Sequence, residues 1–326
     1  MIDLYSYRNF VRMMLAASAC WYGIAMVPAM AAEGINPLQP GATTGSPAGA
    51  LPPPGVYLMS DTNYEGGKLK NDAGDTAVTP AGQKITASNM CSVLALTWVT
   101  DTQILGARYA VAIAQPYKWA ETKFSGGTNS VSSSGIVNTA ITPVILSWDL
   151  GQGYFLSSGL TVYLDDGDFS ATYDSSAGRK VKNATSIGND YWTFEPSVAL
   201  TYMGHDWSLT LNNLLDFNTI NHTSDYRSGM TYYLDATATR RIQKFTLGVV
   251  GNLTRQITDD EINGESVPAV SGFYGKGNRA EHILAGPLLG YDFGSFTVTS
   301  RLLVSLRAKN DADVSFFHVG VSLPIH

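Results

Sequence analysis

The sequence predicts an all-β protein, a transmembrane up-and-down antiparallel β-barrel of about 12 strands. Three observations point to it: a composition poor in charge and rich in glycine and tyrosine, a train of alternating segments, and connections that alternate short and long. Charged residues are 15% of the 326-residue chain, against 32 Gly and 17 Tyr. That leaves too few Leu, Lys and Glu for amphipathic helical faces. From Gly55 onward the alternating segments run 55–64, 87–101, 105–116, 138–150, 153–165, 190–204, 206–219, 229–241, 244–255, 280–293, 295–308 and 314–325. At roughly 10 to 15 residues, each is long enough for a tilted strand to cross a bilayer.

The connections fix the setting. Tight links, DTQI, LGQG, GHD, IQK and FGS, follow every second segment, and longer polar stretches follow the others, the largest at 65–86, 117–137, 166–189 and 256–279. All long loops then lie at one end, as in a barrel of the bacterial outer membrane with both termini in the periplasm. A soluble, lipocalin-like barrel is the alternative, but it gives no reason for this asymmetry.

Ahead of the barrel, Arg8 and Arg12 precede the apolar run MMLAASACWYGIAMV, and Ala29-Met30-Ala31 supplies small residues for cleavage. Residues 1–31 therefore read as a signal peptide. Residues 32–54, AEGINPLQPGATTGSPAGALPPP, are crowded with Pro, Gly, Ala and Ser and have no apolar period. They form an extended leader that either hangs free or folds into the lumen as a plug. Residues 55–326 are the barrel. Cys91 is alone in the mature chain, which excludes an intramolecular disulfide and a cysteine metal site.

Alternation assigns the faces. In Phe245 to Thr254, Phe245, Leu247, Val249 and Leu253 fall on one side and Thr246, Gly248, Asn252 and Thr254 on the other. In Phe296 to Lys309 the even side carries Phe296, Val298, Leu302, Val304 and Leu306. The apolar sides face lipid, which leaves the lumen polar. The same count turns Asp61, Arg108, Asp149, Glu195, Asp216, Asp235, Arg241, Asp292, Arg301 and Arg307 inward. Aromatic residues agree with this placement. Trp98, Trp148, Tyr154, Tyr202, Trp207, Phe245, Tyr291, Phe293 and Phe296 crowd the short turns as an inner girdle, and Trp192, Phe194 and Tyr232 sit near the outer boundary.

Among the inward charges, Glu195, Asp235, Asp292, Arg301 and Arg307 are the candidates for a lumen constriction. The same residues would equally serve a network that only holds the barrel in shape. Pro143, Pro196 and Pro287 interrupt central strands and, lacking a ladder donor, are expected at bulges, where they set curvature or weaken the wall. The acidic tips Asp165, Asp166 and Asp168, and Asp259, Asp260 and Glu261, do not follow a calcium-loop pattern, so they read as solvated loop acids, and no metal or cofactor is expected. Neither G-x-S-x-G nor H-E-x-x-H occurs. His282 and His318 turn inward, where a hydrolase would need its His and Ser on the outer wall. The net charge of −6, without a basic run, gives no nucleic-acid partner.

The strings LPPPGVYLMSDTNYEGGKL (51–69), TAITPVILSWDLGQGYFLSSGLTVYLDDGDF (139–169), GNDYWTFEPSVALTYMG (188–204), YRSGMTYYLDATATRR (226–241) and GNRAEHILAGPLLGYDFG (277–294) resemble the SphA-like outer-membrane proteins named for the MetA pathway of phenol degradation. The resemblance spans nearly all of the mature chain. It implies a channel or transporter for small aromatic or hydrophobic solutes, with outer-membrane lipid, lipopolysaccharide and the barrel-assembly machinery as partners. Chains of this kind usually end in Phe, whereas this one ends SLPIH. A structural barrel without an open pore and an outer-membrane hydrolase are the competing expectations.

Overall fold

The computed structural model describes residues 37–126, 130–175 and 177–325. The expected signal peptide and the first leader residues lie outside them. The wall is made of β1 (Gly55–Lys68), β2 (Ile85–Ile104), β3 (Ala107–Phe124), β4 (Ala140–Gly151), β5 (Tyr154–Tyr163), β6 (Thr193–Gly204), β7 (Trp207–Asn218), β8 (Thr231–Ile242), β9 (Phe245–Gln256), β10 (Glu281–Asp292), β11 (Thr297–Lys309) and β12 (Ser315–Ile325). Each pairs antiparallel with its sequence neighbours, and β1 meets β12 from Val56↔Ile325 to Gly66↔Ser315, which closes the ring. Closure matters physically because hydrocarbon offers no partner to an unpaired N–H or C=O.

Tight turns join the strands at the periplasmic end. Leu105 (φ 53°) and Gly106 (φ 77°), Gln152 (53°) and Gly153 (83°), and His205 (53°) and Asp206 (66°) all take positive φ. This is the type I′ form whose twist matches the strands it joins. The first turn falls at Leu105-Gly106, just past the expected DTQI, because β2 and β3 run on through a register shift between Val99 and Gln103. At the outer end the same two strands outrun the expected segments, and residues 130–136 pair with the extension from Tyr117↔Ile136 to Lys123↔Ser130.

The side chains alternate as the sequence requires. Leu209, Leu211, Leu247, Val249, Leu302 and Val304 are exposed on the outside, where lipid covers them. The inner girdle forms two ring clusters: Tyr154 meets Tyr202 at 5.0 Å between ring centroids, and on the other side Phe245 meets Tyr291 at 4.9 Å and Phe293 bridges Tyr291 (4.6 Å) to Phe296 (4.7 Å).

Two expectations about the wall are corrected. Pro143 does sit at register shifts on both sides. Pro196 and Pro287 do not: Leu214↔Ser197 and Phe217↔Phe194 keep one register across Pro196, as do Ala285↔Val304 and Leu288↔Arg301 across Pro287. Each of these two prolines only leaves a rung unmade, because the missing N–H interrupts pairing without adding a residue. The shift between β10 and β11 lies higher, between the pairs Ile283↔Arg307 and Leu284↔Ser305, with Leu306 as the extra residue. It overturns the inward placement of Arg307. A bulge reverses side-chain parity beyond it, so Arg307 points outward and pairs with Glu281 at 2.8 Å.

The outer loops close over the barrel. Ala77, Ile85, Tyr226, Val267, Phe273 and Tyr274 form an apolar cluster there, backed by Leu69, Phe124 and Val270. Asp260 is the polar pin of this cap. It accepts hydrogen bonds from Tyr226 Oη, Gly229 N (2.8 Å), Gln256 Nε2 (2.7 Å) and Asn278 Nδ2 (3.0 Å). Burial nevertheless pushes its pKa up to about 6. The other acidic tips stay solvated, as expected, and Asp166 and Asp168 are exposed while accepting from Thr139 N (2.8 Å) and Ile136 N (2.8 Å); Asp259 pairs with Arg279 (2.6 Å).

Candidate functional site

The lumen is the candidate site, and the leader runs through it. Residues 39–52 lie against the inner wall, held by wall side chains that reach leader backbone. Thr43 donates to Asp235 Oδ2 from its amide (3.0 Å) and its hydroxyl (2.6 Å), while Asn252 donates to Asp235 Oδ1 (2.7 Å). Asn212 donates to Thr43 Oγ1 (3.0 Å), and Gly45 N donates to Thr237 Oγ1 (2.8 Å). Further down, Gly49 N donates to Thr201 Oγ1 (2.9 Å), and Ser147 and Ser157 donate to Gly49 O and Ala48 O, each at 2.8 Å. Arg108 holds the exit, donating to Leu51 O (2.8 Å) and Pro52 O (2.7 Å).

The leader's glycines fit this role. A Cβ on Gly49 would come within 2.8 Å of Phe155 O and Thr201 N, and one on Gly45, at φ +84°, within 2.7 Å of Leu288 Cδ1. Only a residue without a side chain passes the wall so closely.

Beside the leader lies a charged triad. Asp61 is 2.9 Å from Arg301 Nη2 and 2.8 Å from His318 Nδ1, and Arg301 also donates to Ala42 O at 3.2 Å. β1, β11 and β12 supply one residue each. Two of the expected lumen charges, Asp235 and Arg301, therefore grip consecutive leader residues, Thr43 and Ala42.

The others lie elsewhere. Glu195 is buried and accepts from Tyr163 Oη at 3.3 Å. It falls opposite Asp216 on the lumen face, between the paired positions Leu214–Ser197 and Phe217–Phe194. Asp292 is at the periplasmic mouth, paired with Arg241 at 2.7 Å and half-exposed, too low for a constriction. Arg307 is outside altogether.

Sequence alternation missed the apolar sector of the lumen. Val250, Leu284, Leu288, Leu303, Val314 and Phe316 pack together on the inner face, all buried. In HILAGPLLGY and RLLVSL apolar residues occupy both parities, so no polar partner marks the inward one. A continuous apolar run was the only available signal. Gly41 and Gly45 of the leader lie over Leu303 and Leu288.

His282, Ser305 and Asp311 meet at the upper edge of this sector, with His282 Nε2 3.0 Å from Ser305 Oγ and Nδ1 3.4 Å from Asp311 Oδ2. The arrangement has the residue types of a hydrolytic relay but not its surroundings. The His282 side chain has no exposed surface, and the Ser305 amide, one of the donors an oxyanion would use, is spent on Ser315 Oγ (3.1 Å).

On the outside, facing lipid, a groove of about 730 Å³ crosses β6 to β10. Its floor is Ala236, Ala238, Gly251 and Ala285, and Leu209 and Pro287 stand at its edges.

Comparisons with known proteins agree with the barrel. The model of the family described as "Putative MetA-pathway of phenol degradation" matches residues 67–317. The chain is similar in structure to the COG4313 outer membrane channel from Pseudomonas putida F1, with a TM-score of 0.68 and 13% identity over 88% of this chain and 100% of that one. It is less similar to the translocator domain of the autotransporter NalP from Neisseria meningitidis, with a TM-score of 0.47 and 11% identity over 83% of this chain and 88% of that one. No curated protein sequence matches the chain. The molecule is an outer-membrane β-barrel.

Proposed function

Because the chain belongs to the family of the putative MetA-pathway of phenol degradation, we propose that it is a channel for passive uptake of small aromatic or hydrophobic solutes. The observation that carries this reading is the apolar lumen sector formed by Val250, Leu284, Leu288, Leu303 and Phe316. Under the leader these leucines stabilise the closed state, and an apolar solute that displaces Gly41 and Gly45 finds there the surface it needs once it leaves water.

The leader acts as a plug. Its contacts are hydrogen bonds to wall side chains, not ladder pairing, so segments of it can leave without opening the sheet. A solute captured under the loop cap would take the place of Gly41 and Gly45 on Leu303 and Leu288. Release leads to the periplasm past the Arg108 clasp, or sideways where Gly286-Pro287 and Leu302-Leu303 make no rung and the outer groove begins. Glu195, Asp235 and Arg301 hold the passage in shape. No covalent step and no cofactor enter this mechanism. In the envelope the barrel is inserted by the assembly machinery and surrounded by outer-membrane lipid, with lipopolysaccharide in the outer leaflet.

Growth of a deletion strain on limiting aromatic carbon sources tests the proposal. A selective growth defect restored by the wild-type chain supports it. Normal growth on every aromatic source, with no conductance in planar bilayers, would favour the structural role.

A further inference from the structure

The outward face of the barrel carries one compact group of cations at the outer ends of β9 to β11. Arg255, Glu281 and Lys309 form a cross-strand row, Arg255↔Glu281↔Lys309. Their neighbours Thr254, Gln256, His282 and Ala308 are buried on the lumen side, so the row faces out. Arg307 joins it through the Leu306 bulge and uses Nε on Glu281 Oε1, with its side chain half-exposed. Three cations thus surround one carboxylate. Arg279 next to them is already paired with Asp259.

Height decides what they meet. Arg255 stands ten positions up β9 from Phe245 of the inner girdle. At ~3.3 Å per residue and a tilt near ~40°, that is a rise of about 25 Å, the thickness of the apolar band. Directly below lie apolar outward residues: Leu306, 65% exposed, Val304, Ile283 and Leu253. The surface is cationic at head-group level and apolar beneath, the complement of an amphiphile with phosphates above acyl chains.

We propose that Arg255, Arg307 and Lys309 form a binding site for the phosphorylated head group of lipid A, the membrane-embedded part of lipopolysaccharide. The Leu306 bulge is part of the site, since without it Arg307 would point into the lumen. The inference deepens the lipid-partner reading above and depends on the outer-membrane position, not on solute uptake.

The test uses the full mature chain purified in detergent and titrated with bis-phosphorylated lipid A, dephosphorylated lipid A and phosphatidylglycerol, with binding read by native mass spectrometry. The wild type is expected to bind phosphorylated lipid A at least tenfold more tightly than the other two lipids. The variant Arg255→Gln/Arg307→Gln/Lys309→Gln should lose that preference, while Arg240→Gln, at the periplasmic end, keeps it. Heat-modifiable migration on gels verifies the fold. If the triple variant does not fold, Arg255→Gln and Lys309→Gln, which break no ion pair, carry the test with the same expected direction. Equal affinity for phosphorylated and dephosphorylated lipid A, or unchanged affinity in the folded variants, would overturn the site. Uptake of aromatic solutes by the same variants should stay at the wild-type rate, so this inference and the channel reading fail separately.

Discussion

Thr43 is tied to Asp235 by both its amide and its hydroxyl, at 3.0 and 2.6 Å, so a leader residue is anchored to a wall carboxylate in mid-strand. Hydrogen bonds to a charged acceptor contribute about 1.5–3 kcal/mol each. Replacing Thr43 with Ala removes one of them and leaves the amide bond in place. We expect Thr43→Ala to raise the frequency of open events in planar bilayers several-fold without altering the fully open conductance. Deletion of residues 37–54 should hold the pore open. Identical traces from all three proteins would mean that the leader does not control the passage.

The Asp61–Arg301–His318 triad gives a second expectation. Arg301 is nearly buried and bridges β11 to Asp61 on β1 and to Ala42 of the leader. Arg301→Ala leaves the Asp61 carboxylate with His318 as its remaining partner in the triad, and breaking a buried pair costs up to about 3–5 kcal/mol. Thermal unfolding in detergent should show a marked loss for Arg301→Ala. Partial recovery is expected when Asp61→Asn is added, because the carboxylate charge is then gone. A double variant no more stable than Arg301→Ala would contradict the coupling.

The strand plan was legible because lipid on one side and polar contents on the other force period-two alternation, as in Phe245 to Thr254. The alternation of loop lengths supplied the end assignment. What alternation cannot reveal is a bulge. Leu306 adds one residue with no composition signal, so parity carried Arg307 to the wrong face. Prolines were a poor guide for the same reason: Pro196 and Pro287 remove a donor but insert nothing, and register survives. Asp235 and Arg301 were identifiable as inward charges, but their partner, the leader, has no period of its own. Its place in the lumen rests on contacts between residues almost 200 positions apart, Thr43 with Asp235 among them.

The apolar sector predicts a separation of solute classes. Leu303 is fully buried in the lumen under Gly41. Leu303→Asn keeps a similar volume and removes the apolar surface, so aromatic uptake should fall about tenfold, the equivalent of roughly 1.4 kcal/mol of lost solute affinity, while ion conductance stays near wild type. A parallel fall in both would indicate a collapsed lumen instead.

The loop cap should loosen as pH rises. Asp260 titrates at about 6 in the fold against an ordinary value of 3.8, so the native cap binds the proton more tightly than the opened one. Its contribution is complete below about pH 4 and is lost as pH climbs through about 6, on the order of 3 kcal/mol across the window. Hydrogen exchange of residues 257–280 is therefore expected to be slower at pH 4.5 than at pH 7, after correction for intrinsic rates. Asp260→Asn should flatten that difference. A cap equally protected at both pH values would show that its four donors offset burial.

The most direct measurement is the initial rate at which whole cells take up a labelled monoaromatic solute when the chain is deleted, restored, or restored as Leu303→Asn. The account predicts a slow rate in the deletion strain, full recovery with the wild type, and little recovery with Leu303→Asn, with a polar control solute entering all three strains at the same rate. Equal uptake in the deletion and restored strains would contradict it.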